Sequence, residues 1–139
     1  MREILFRAKR KDNGEWVEGY VFELHSGQYM ICDRNQYDRA STLPAWEFLR
    51  YCTHEIYPET LCQYTGLKDK SGKKIWENDI IRVENSVDEG TGVVVFYEGV
   101  WYVNRGVNNS LYNIVLYDDD AEIYIIGNII DNSYMVKNG

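Results

Sequence analysis

Turn residues punctuate this chain at short intervals, and most segments between them have the length and pattern of β-strands. Asn13-Gly14 accepts the positive φ angles of a tight hairpin turn. His25-Ser26-Gly27 marks a second turn, and Asp69-Lys70-Ser71-Gly72 has the chemistry of a type I turn ending in a left-handed glycine. Glu77-Asn78-Asp79 is a further tight turn, because asparagine tolerates the left-handed region. Glu98-Gly99 joins Val93 to Tyr97 with Val100 to Val103 in the clearest hairpin of the sequence. Composition agrees. The 139 residues hold twelve Tyr, four Trp and only two Pro, which suits pleated, half-buried surfaces.

The expected strands are Glu3 to Ala8, Trp16 to Leu24, Gln28 to Cys32, Cys52 to Ile56, Ile80 to Val83, Val93 to Tyr97, Val100 to Val103, Leu111 to Tyr117 and Glu122 to Ile130. The last is interrupted by Gly127-Asn128, and a glycine inside a strand predicts a bulge or a close backbone approach. Ser41 to Tyr51 breaks the pattern. Ser41 or Thr42 can cap a helix, Pro44 suits a first turn, and Trp46, Leu49 and Arg50 fall at helical spacing, which predicts one short helical turn. The expected fold is therefore all-β and mostly antiparallel. A β-meander over about residues 1–62 packs on a small barrel, resembling an SH3-like fold, over about residues 63–139, as one compact unit.

Charge is unevenly placed. Residues 1–76 carry 12 Lys+Arg and 11 Asp+Glu, whereas residues 77–139 carry 3 and 11, so the second part has a net charge of −8. Such a field repels phosphates and attracts basic partners. Cys32, Cys52 and Cys62 form no Cys-x-x-Cys pair, which points to a reducing compartment. The beginning of the chain has no apolar stretch of signal-peptide length, and no run is long enough to cross a bilayer, so a cytoplasmic location is expected.

No stretch carries a catalytic or cofactor signature. Cys52-Thr53-His54 places sulfur and imidazole on one side of a strand, with Cys62, His25 and Cys32 as further ligands, but no spacing matches a zinc module. Gly66 and Gly72 are six apart, and Lys74 stands where a phosphate loop needs a hydroxyl residue. Asp118-Asp119-Asp120 with Glu122 lacks the spaced ligands of a calcium loop and reads as a solvated acidic turn. His25 and His54 lie in segments without a nucleophile signature. The chain is thus expected to bind no metal or cofactor and to be no enzyme.

Three stretches together resemble the YopX-like family of phage and prophage proteins. They are Phe6-Arg7-Ala8, Gln63 to Ile75 continuing to Asp79-Ile80, and Ile126-Gly127-Asn128-Ile129. The family usually has glycine where this chain has Asn78, which keeps the left-handed option. The resemblance implies a β-rich fold encoded by phages or prophages of Gram-positive bacteria, in the host cytoplasm, and no reaction. Residue by residue, Gly66, Gly72 and Gly127 suit turns or bulges, and Asp69 and Asp79 suit turn caps. Phe6, Leu67, Ile75, Ile80 and Ile129 suit the core. An unidentified protein partner is expected, with Tyr64, Trp76, Asp118, Asp119 and Asp120 as the interaction surface. The competing expectation is a single-stranded nucleic-acid binder, with Tyr64 and Trp76 flanking Lys68, Lys70, Lys73 and Lys74, and Lys9-Arg10-Lys11 adding charge.

Overall fold

The computed structural model describes residues 3–36, 43–84, 89–106, 111–113 and 121–135. Among the described residues the fold is mostly antiparallel sheet with one short α-helix, as the turn spacing predicts. It divides into two compact units, Met1–Gln63 and Tyr64–Gly139.

In the first unit, β1 (Phe6–Lys9), β2 (Trp16–Glu23), β3 (Tyr29–Asp33) and β4 (Thr53–Glu55) form an antiparallel meander. The first residues of β5 (Cys62–Lys68) pair with the free side of β1, Arg7 opposite Cys62. Ala8, Val17, Ile31 and Ile56 form the core on one side of the sheet, and the neighbouring Cys32 is buried on the other. Gly19 is needed by packing: a Cβ there would lie 1.8 Å from the carbonyl oxygen of Cys32 on the neighbouring strand. β1 starts at Phe6 rather than Glu3, because pairing begins at Phe6 opposite Gly19. The Asn13-Gly14 turn is a four-residue connection closed by Arg10 N–H donating to Glu15 O at 3.0 Å, with positive φ at Gly14 but not at Asn13.

The expected helical turn is a full helix, α1 (Ala45–Cys52). Pro44 precedes it in extended conformation and accepts the first helical bond, from Phe48 N–H at 3.0 Å. Ser41 and Thr42 lie outside the described residues. The buried side of α1 is Phe48 and Cys52, four apart, against Leu43 and Cys32. Trp46, Leu49 and Tyr51 are exposed.

In the second unit, the rest of β5 pairs with β6 (Lys74–Trp76). A five-stranded sheet follows, with β7 (Asp79–Glu84), β8 (Glu89–Tyr97), β9 (Val100–Asn104), β10 (Leu111–Asn113) and β11 (Glu122–Asn128) in the order β10-β9-β8-β7-β11. Four consecutive strands make a meander, and the last returns beside the first. Ile75, Ile81, Val83, Val94 and Val103 are its buried core, with Leu67, Trp101, Ile123 and Ile125 packed around them. β8 begins at Glu89, not Val93, because the backbone of Gly90-Thr91-Gly92 pairs with β7 although its side chains give no strand signal. Of the expected strand from Leu111 to Tyr117, Leu111–Asn113 falls in the described residues.

Candidate functional site

Asp69 organises the turn between β5 and β6. One carboxylate oxygen accepts the N–H groups of Ser71 and Lys73, each at 2.9 Å, while Gly72 N–H donates to Asp69 O at 3.0 Å. Gly72 has φ +86°, which glycine adopts without a Cβ penalty. The second oxygen of Asp69 accepts Ile125 N–H at 3.3 Å, and Lys70 N–H donates to Ile123 O at 2.8 Å. The turn thus occupies backbone groups of β11, a strand at the edge of the five-stranded sheet, and edges left open invite foreign strands. Lys70 Nζ also lies 3.1 Å from the carboxylate of Glu122. The Tyr124 hydroxyl and then Lys70 hold the Glu122 carboxyl below the usual range, and the same Glu122 hydrogen bond raises the Tyr124 phenol.

A second turn lies at the other end of β11. Asn78 has φ +70°, and the carboxylate of Asp79 accepts Trp76 N–H at 2.8 Å. Asn78 N–H donates to Val94 O, and Asn78 O accepts Ile129 N–H, both at 2.9 Å. Asp79 sits opposite Asn128, and the register shifts between Ile125 and Gly127. Gly66, with φ +87°, lies where β5 shifts register against β6. Ile75 and Ile80 are fully buried, whereas Phe6 and Ile129 are half-buried.

Two expected surface residues are not at the surface. Tyr64 and Trp76 are 5% and 4% exposed, with ring centroids 5.5 Å apart. They pair across β5 and β6, so each ring covers the other, and neither face is open to a partner or a base. Asp118, Asp119 and Asp120 lie outside the described residues.

The cysteines and His54 do not converge as the strand spacing suggests. Cys52 ends α1, so it is not two strand positions from His54. His54 pairs with Ile31, and Cys32 pairs with Thr53, so His54 and Cys32 face opposite sides of the sheet. Among the described residues no group of three or more His, Cys, Asp or Glu is placed to hold a metal. Burial raises the thiols of Cys32 and Cys52, which disfavours the thiolate a ligand or nucleophile requires. The Asp69 turn joins antiparallel strands, not a strand and a helix, so its glycines form no phosphate loop. No helix among the described residues is long and apolar enough to cross a membrane.

One exposed aromatic feature of the second unit is the end of the β8–β9 hairpin. Tyr97 pairs with Val100, and Glu98-Gly99 makes the two-residue turn with φ +48° and +82°. Phe96 and Trp101 lie directly opposite each other on the core-facing side, with centroids 4.7 Å apart, and Tyr97 and Tyr102 lie on the other side, 6.5 Å apart. Phe96 is 51% and Tyr97 54% exposed. The sheet's core ends before the hairpin does, so Phe96 and Tyr97 project past it, while Trp101 packs on the core and Tyr102 is half-buried.

The family model for YopX protein matches residues 5–137. The chain belongs to the YopX family. A solved structure of protein yopX from Bacillus subtilis is similar in fold at 13% identity, with a TM-score of 0.58, covering 99% of this chain and 100% of that one. No curated protein matches the sequence. In this YopX-family chain, the central and C-terminal stretches that carry the resemblance meet in space where Asn78-Asp79 meets Asn128-Ile129, and Asp69 reaches Ile125, one residue before the C-terminal stretch. Both meetings are made of satisfied backbone groups, the signature of residues that hold a fold. The hairpin tip belongs to none of these stretches. Its signals in the sequence were the Phe96-Tyr97 pair beside a two-residue turn and the answering Trp101-Tyr102 pair.

Proposed function

We propose that this YopX-family chain is a phage- or prophage-encoded accessory protein that acts in the host cytoplasm by binding another protein, without catalysis. The observation that carries this reading is the hairpin tip, where Phe96 and Tyr97 are exposed and each lies near a ring of β9. Aromatic side chains supply much contact area at low entropic cost, which is why they are enriched at interfaces. The SH3-like barrel reading of the second unit rests on its strand order, with the last strand returning beside the first as a closing barrel requires.

The test is photo-cross-linking in cells. A benzophenone amino acid replaces Tyr97 in one strain and the exposed turn residue Asn13 in another. The expected result is a discrete protein adduct from position 97 that position 13 does not give. Adducts to nucleic acid, or the same adducts from both positions, overturn the reading.

A second reading, single-stranded nucleic-acid binding, draws on the first unit. The Arg7 guanidinium lies 4.7 Å from the Trp16 ring centroid, with Lys9 Nζ at 5.4 Å. Lys11 Nζ lies 5.9 Å from the Tyr57 ring. Against it, Lys11 pairs with Glu55 at 3.0 Å and Arg10 pairs with Asp12, so carboxylates offset this positive charge. A fluorescent oligonucleotide titrated across salt decides: this reading requires affinity that falls steeply as salt rises.

A further inference from the structure

The hairpin that carries the exposed rings is purely acidic. Residues 89–104 contain Glu89 and Glu98 and no Lys or Arg, within a segment, 77–139, of net charge −8. Glu98 stands at the apex with φ +48°, where asparagine or glycine is the ordinary choice. A carboxylate is therefore held at the point of greatest projection, between Tyr97 and Gly99, at a backbone angle that penalises its side chain. Beside it Phe96 and Tyr97 are exposed, and aromatic rings attract cations and pack on apolar stems.

We propose that the tip formed by Phe96, Tyr97, Glu98, Trp101 and Tyr102 docks a segment of a partner protein in which basic and apolar side chains alternate. This proposal rests on the protein-binding reading above and names the partner's chemistry. The basic groups pair with Glu98 and stack on Tyr97 and Tyr102, and the apolar groups pack against Phe96 and Trp101. Charge complementarity favours this occupant over a second copy docked tip to tip, since two tips bring Glu98 carboxylates to the same contact. It also disfavours an anionic membrane, the other surface that aromatic tips meet.

The probe is a fluorescein-labelled twelve-residue peptide of alternating arginine and leucine, followed by anisotropy with the full chain. The expected result is saturable binding that weakens about tenfold in Tyr97→Ser and about fivefold in Glu98→Asn, scales set by losing one cation–π contact or one charge partner. Glu59→Gln, at an exposed position of the first unit and with the same loss of charge, should leave affinity unchanged, which separates local docking from attraction to an acidic protein. Glu98→Asn suits the positive φ, so its loss of binding is not a loss of fold, and a thermal melt of each variant verifies this. Equal affinities for all four proteins overturn the proposal. So does binding to phosphatidylglycerol vesicles without binding to the peptide, or a dimer in sedimentation that Tyr97→Ser dissolves. Should the peptide fail while photo-cross-linking still captures a protein from position 97, the partner's chemistry is wrong and the protein-binding reading stands.

Discussion

Two turns of the second unit share a backbone device and differ in everything around it. Both the Asp69–Gly72 turn and the Glu98–Gly99 turn join antiparallel strands, and both use positive φ. At the first, Asp69 is 8% exposed and its carboxylate accepts three backbone N–H groups, one of them from Ile125. At the second, Phe96 and Tyr97 before the turn are exposed aromatics, and each ring lies near a ring of β9. The difference teaches that the residues by which the family is recognised need not be the residues by which it acts. In this chain they hold the sheet, and the proposed contact surface projects elsewhere.

The largest effect is expected at the companion turn. Asp79 is 1% exposed and accepts Trp76 N–H. Asp79→Ala leaves that donor buried without its acceptor and should cost about 3 kcal/mol. Urea unfolding at fixed protein concentration measures it, and a midpoint equal to wild type would break the structural side of the comparison.

Gly72→Val comes next. A β-branched residue fits φ +86° badly, so the loss should exceed about 1 kcal/mol. The melt should shift down while binding at the hairpin tip stays as it was. A variant that melts like wild type removes the left-handed turn from the account.

Glu98→Asn is the smallest and has the opposite sign. Asparagine tolerates a positive φ better than glutamate, so stability should rise by about 0.5 kcal/mol. Lower stability would mean that the Glu98 carboxylate is a structural cap, as Asp69 is, and the two turns would no longer differ in kind.

The sequence announces these turns unequally, for a physical reason. Bonds from Asp69 to Ser71 and Lys73 close within four residues, so turn chemistry alone foretells them. The bond from Asp69 to Ile125 spans 56 residues, and no local pattern encodes it. Strand existence was legible from alternation, but the start of β8 was not, because Gly90-Thr91-Gly92 pairs through its backbone without apolar side chains. Tyr64 and Trp76 misled because an amphipathic ring suits a core as well as a surface, and only their pairing across β5 and β6 decides. The tip residues Phe96 and Tyr97 looked like ordinary strand residues, since nothing local says where the core ends.

The most direct test sets the two turns against each other in one measurement. Urea unfolding midpoints are compared for Asp69→Asn and for the double variant Tyr97→Ser with Glu98→Asn. Asparagine at 69 keeps one acceptor oxygen but places an NH₂ group where a carboxylate oxygen receives an N–H, so a loss of roughly 2 kcal/mol is expected. The double variant should unfold within about 0.5 kcal/mol of wild type, as surface changes do. An Asp69→Asn protein as stable as wild type, or a double variant that loses as much as Asp69→Asn, would contradict the division between a turn that holds the fold and a turn that meets a partner.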